Sequence, residues 1–140
     1  MKLPPSPWFR WPLVPVTAIV AACAAAWVVR MATTQLSLFI LGARPPGRYA
    51  DLLWNLIVVP GAESALLGFA FVMAGRWMAP MAKAHTALVL SRTMVGMFVF
   101  LTVAVWLLEP AALRSNLQAS CGCIAAYLGA RLATKSDLIR

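Results

Sequence analysis

The stretch LLWNLIVVPGAESALLGFAFVMAG, residues 52–75, decides the architecture. It carries a single charge, Glu63, in an otherwise apolar run, and it exceeds the ~20 residues a helix needs to cross a ~30 Å hydrocarbon layer. A segment this long and this apolar reads as a membrane span. Three neighbours repeat the pattern: Trp11–Val29, ending at Arg30; Thr86–Leu108, with Arg92 near its start; and Leu117–Ala133, shorter and rich in small residues. The expectation is an all-α integral membrane protein of one domain, 1–140, with four transmembrane helices at about 11–29, 52–75, 86–108 and 117–133.

The segments between the spans are built to break helices. In Gly42-Ala-Arg-Pro-Pro-Gly-Arg48, adjacent prolines remove two amide donors and clash with the preceding turn. Met78-Ala-Pro80-Met81 closes the second span and Glu109-Pro110 the third, while Arg114-Ser115-Asn116 opens the fourth with residues suited to capping. Residues 30–51 read as an interfacial segment and loop. Their first part, 30–41, is amphipathic and fits either a continuation of helix one or a separate interfacial helix.

Composition sets the solvent. Of 140 residues, 62% are hydrophobic and 11% charged, against about a quarter charged in soluble domains. That excludes a disordered chain and a disulfide scaffold and speaks against a soluble enzyme. Twelve Lys and Arg against four Asp and Glu leave +8. These bases flank apolar runs and do not cluster on a polar body, so they indicate membrane orientation and no nucleic-acid partner. With the N-terminus cytoplasmic, Lys2, Arg10, Arg76, Lys83, Arg92, Arg131, Lys135 and Arg140 fall inside, and Arg30, Arg44, Arg48 and Arg114 outside. The excess places both termini in the cytoplasm and the protein in the inner (plasma) membrane. Trp8, Trp11, Trp27, Trp54, Trp77 and Trp106 all fall at span ends, where indoles prefer the interface. A competing reading takes the first segment as a secretory signal, with Val20-Ala-Ala-Cys23 shaped like a lipoprotein cleavage box.

Glu63 is the most informative residue. At the midpoint of span two its charge costs at least ~2.5 kcal/mol to insert, so such an acid faces a bundle interior. Pro60 leaves the Leu56 carbonyl without its helical donor and Gly61 admits a neighbouring backbone, so a helix kink is expected there. Two readings stand side by side. One is a protonated or Arg-paired structural glutamate; the other is an ion- or proton-binding site. Arg92 is the natural partner, able to reach Glu63 or to snorkel back to the headgroups, with Arg30 the other candidate if helix one is long.

Small residues repeat every fourth position: Ala18, Ala22 and Ala26 in span one, and Gly122, Ala126 and Ala130 beside Cys121, Ala125, Gly129 and Ala133 in span four. Such stripes let helices approach closely in lipid, within a chain or between subunits. Cys121 and Cys123 point about 200° apart on a helix and Cys23 is alone, so the cysteines read as small buried hydrophobes. His85, near Met78 and Met81, reads as a loop histidine, not a copper ligand. With four acids, one histidine, no phosphate loop and no Ser/His/Asp set, no enzyme, cofactor or metal site is expected.

From Arg92 onward the chain resembles the short holins of temperate tailed phages. The resemblance rests on Arg92-Thr-Met-Val-Gly96-Met-Phe98-Val99, an apolar span, a short polar loop, then Cys121-Gly122 opening a small-residue helix with Gly129 and a basic tail. It implies an oligomerising membrane protein that permeabilises the bilayer, its small-residue faces packing between subunits around Glu63 and Arg92. The chain is also similar to small multidrug transporters in size and in using one intramembrane Glu, and to membrane-anchor subunits in dimensions. The alternatives are a non-catalytic subunit of a transport or respiratory complex, and a proton-coupled transporter using Glu63. Self-association or other membrane subunits are the expected partners beside the lipid bilayer.

Overall fold

The computed structural model describes residues 10–42, 53–80 and 82–135, and these are all-helical, with no strand among them. Four helices follow in order: α1 (Leu13–Gly42), α2 (Val59–Met78), α3 (Lys83–Leu108) and α4 (Leu113–Lys135). Three are long and apolar enough to cross a membrane: α1 to Phe39, α2 with its leading turn from Trp54, and α3. α4 does not reach that apolarity, because Arg114, Asn116, Gln118 and Arg131 dilute it. Its boundaries are also wider than the expected 117–133, and α3 begins at Lys83, three residues before Thr86.

α1 settles the question of residues 30–41. It continues without a break to Gly42 over 30 residues, so no separate interfacial helix forms. Nothing in that stretch stops it: the first breaker is the Pro45-Pro46 pair. Thr33 and Thr34 donate their hydroxyls back to the Arg30 carbonyl at 3.1 and 2.7 Å, so their polar atoms are satisfied within the helix. The loop after Gly42, along with Trp8 and Met81, lies outside the described residues.

α2 enters through a π-helical turn, Trp54–Val58. The Val59 amide donates to the Trp54 carbonyl, five residues back. Pro60 explains the wider register. It has no N–H to give to Leu56 on four-residue spacing or to Asn55 on five-residue spacing. The proline sits within the first α-helical turn of α2, where it is tolerated, and the irregular turn lies immediately upstream of it.

Glycines set the registers. A Cβ on Gly68 would stand 2.5 Å from the Ala126 carbonyl oxygen, and one on Gly129 would collide with the Ala65 carbonyl. α2 and α4 therefore cross backbone to backbone and run in the same direction, with Ser64 against Gly122. Gly75 packs against Ala18 of α1 and Leu90 of α3, both antiparallel to α2. α2 is the hub: α1 docks on it alone to any extent, while α3 packs on both α2 and α4. Val72, Ala87, Ala130 and Ala133 form the buried core, flanked by Phe69, Phe71, Met73 and Leu90.

That core lies toward the Ala79–Ala82 end. Large apolar side chains face outward along the bundle, including Phe39, Trp77, Phe100, Leu107 and Leu108. Trp11, Trp27 and Trp106 are also exposed, whereas Trp54 is half-buried. Between α3 and α4, Asn116 is fully buried and its amide donates to the Glu109 carbonyl at 3.2 Å, tying the turn from inside the first turn of α4 and not as its N-cap.

Candidate functional site

Where the core ends, the bundle opens. A cleft of about 410 Å³ lies between α1, the π-turn with the start of α2, and α4, lined by Arg30, Thr33, Thr34, Asn55, Val59, Pro60, Glu63 and Gln118. Register explains the company Glu63 keeps. Moving twelve residues along α1 and α2 in opposite directions from the Ala18–Gly75 contact brings Arg30 level with Glu63. Among the described residues neither makes a salt bridge, although both line the same space.

Arg92 lies elsewhere. From the Gly75–Leu90 contact it comes level with Met73, ten residues from Glu63 and so ~15 Å away along the axis. It is exposed on α3 and takes no part in the cleft. The register thus separates the two residues that the charge pattern alone brings together, and puts Arg30 in Arg92's place.

Pro60 lines the cleft, but Gly61 does not serve as a close-approach site: a Cβ there would meet nothing within 4 Å. The close approaches are at Gly68, Gly75, Gly122 and Gly129. Ala18, Ala22, Gly122, Ala126, Gly129 and Ala130 are buried and Ala26 half-buried. The small-residue faces of α1 and α4 meet α2 within this one chain.

Gln118 is the functional candidate missed in the sequence. Its Nε2 donates to the Asn55 carbonyl at 3.0 Å, joining α4 to the π-turn that leads into α2. In lipid, backbone polar groups have to find partners inside the protein, and an amide on a neighbouring helix such as Gln118 supplies one. The same side chain also lines a second, smaller cavity of about 150 Å³ with Ser64, Thr102 and Gly122, so it forms the partition between the two spaces. Thr102 donates to the Ala119 carbonyl at 3.3 Å and Trp106 to the Ser120 hydroxyl at 3.2 Å, locking α3 to α4 behind that partition.

The cleft combines one guanidinium, one carboxyl, two hydroxyls and two amides in a mostly apolar bundle. Such a set can bind a small polar ligand. Elsewhere, His85 is exposed on the first turn of α3, the three cysteines are free thiols, and no three of His, Cys, Asp and Glu come together among the described residues. The chain matches no protein-family model, no curated protein and no solved structure.

Proposed function

We propose that the protein is a small inner-membrane carrier that binds a polar ligand in the Arg30–Glu63 cleft, with protonation of Glu63 coupled to binding. α4 is its fourth span: the buried Asn116 and the half-buried Gln118 face other helices, so the polarity that dilutes its sequence need not meet lipid. Among the described residues, Arg10, Arg76, Lys83, Arg131 and Lys135 gather at the Ala79–Ala82 end, against Arg30 and Arg114 toward the other, which supports a cytoplasmic location for that end and for both termini.

The observation that carries the proposal is Glu63 on the wall of an open polar cleft instead of in a structural pair with Arg92. Holin-like permeabilisation requires small-residue faces free to join subunits. Here those faces pack on α2, which favours a function carried by the single bundle.

The test is a pH jump on proteoliposomes adsorbed to a solid-supported membrane. Acidification should give a transient charge displacement in wild type and in Glu109→Gln, whose exposed carboxyl lies outside the cleft, and none in Glu63→Gln. Equal transients in Glu63→Gln would overturn the carrier reading. Leakage of an entrapped dye from the same vesicles would point instead to a pore.

A further inference from the structure

Among the described residues, the hydrogen-bonding inventory of the cleft points to the ligand it can hold, an assignment that rests on the carrier reading. Arg30 offers guanidinium donors and no acceptor. Thr33 and Thr34 already give their hydroxyl protons to the Arg30 carbonyl, so toward the cleft they present only lone pairs. Gln118 commits Nε2 to Asn55 and retains its carbonyl oxygen and one N–H. Glu63 adds a carboxylate. The cationic donor projects from α1 and the acidic acceptor from α2, level with each other across the same space.

A simple anion would satisfy Arg30 but meet the like charge of Glu63. A simple cation would satisfy Glu63 but meet Arg30. A molecule carrying both charges a few bonds apart satisfies the two walls at once, its ammonium donating to Glu63 and the threonine oxygens while its anion accepts from Arg30. At about 410 Å³ the cleft sits low in the ~300–1,000 Å³ range of ligand pockets, suiting a headgroup-sized molecule. We infer that the cleft is a binding site for a small zwitterion, a primary ammonium joined by a short linker to a phosphate or carboxylate.

Two sources supply that chemistry. By the α2/α3 register Glu109 is level with Leu56, which leaves Glu63 ~10 Å below the Glu109 end of the bundle. A soluble zwitterion reaches that depth from the aqueous side, and the headgroup of an ethanolamine phospholipid reaches it laterally from the leaflet.

The experiment uses the full chain in mild detergent. Phosphoethanolamine, inorganic phosphate and ethanolamine are titrated separately by calorimetry at one ionic strength. In parallel, native mass spectrometry counts phosphatidylethanolamine or phosphatidylglycerol retained from nanodiscs. Phosphoethanolamine should bind at least tenfold more tightly than either half-molecule, or phosphatidylethanolamine should be retained over phosphatidylglycerol. The first result identifies a soluble zwitterion and the second a lipid headgroup. Arg30→Gln and Glu63→Gln should each erase the preference while eluting as wild type on gel filtration, and Arg30→Lys should restore part of it. Binding of phosphate or ethanolamine alone as tight as that of the zwitterion, or no preference in either arm, would overturn the inference. If the pH-jump transients persist alongside that negative result, the carrier reading survives and only the zwitterion assignment fails.

Discussion

Adding one methyl group at the α2/α4 crossing tests the packing directly. In Gly68→Ala the new Cβ would stand 2.5 Å from the Ala126 carbonyl oxygen and 3.2 and 3.3 Å from its carbonyl carbon and Cα. In Gly129→Ala it would press on the Ala65 carbonyl, with the carbonyl carbon at 2.8 Å. Every obstructing atom is backbone, so no rotamer change relieves the clash and the helices must part by most of an ångström. Overpacking of this kind costs about 1–3 kcal/mol. The parting also loosens the Ser64–Gly122 contact and the core around Val72 and Ala130, which places each variant in the upper half of that range. One separation relieves both clashes, so the double variant should cost less than the sum of the singles. Gly61→Ala and Gly96→Ala are the controls, because a Cβ at either meets nothing within 4 Å. They should be neutral or stabilising by up to ~1 kcal/mol, from helix propensity. Titration with SDS in mixed micelles, followed by circular dichroism, gives the comparison. Unfolding of Gly68→Ala and Gly129→Ala at the wild-type midpoint, or an equal loss from Gly61→Ala, would refute the backbone-contact packing.

Other consequences are as accessible. Gln118→Ala should cost about 1–3 kcal/mol by removing its hydrogen bond to the Asn55 carbonyl; an SDS midpoint equal to that of wild type would argue against that link. Ala82 holds a left-handed conformation, φ 50°, at the entry to α3, so Ala82→Gly should stabilise the fold by about 1 kcal/mol and raise the SDS midpoint. Asn116→Ala should lower it by a similar or larger amount, since the Glu109 carbonyl loses a fully buried partner. Alkaline phosphatase fused after the last residue should stay inactive and green fluorescent protein at the same point should fluoresce; the opposite pair of results would invert the topology.

The helices were legible in the chain because apolar runs and proline breaks act locally. Glu109-Pro110 and Ala79-Pro80 end α3 and α2 where backbone chemistry requires it. Which cation shares the cleft with Glu63 was not legible. Arg92 and Arg30 are both single cations in apolar spans, and only the register chooses between them. That register depends on which glycine meets which backbone: Gly75 against Ala18, Gly68 against Ala126. Gly61 looked equivalent to these in the sequence and faces open space. The continuation of α1 past Arg30 was ambiguous for a related reason, since Thr33, Thr34 and Gln35 are polar enough for an interface, while both threonines can satisfy themselves in a helix. The π-turn was implicit in Pro60, which gives no amide to the turn before it, whereas the Gln118–Asn55 bond depends on the α2/α4 register.

α1 leans on α2 alone, while α2, α3 and α4 hold one another. The Arg30–Glu63 cleft therefore has walls of unequal support. Glu63, Asn55 and Gln118 stand on elements that pack against more than one neighbour, whereas Arg30, Thr33 and Thr34 stand on a helix held from one side. The glycine crossings of α2 on α4 keep three helices together, and the α1/α2 contact alone sets the width of the cleft.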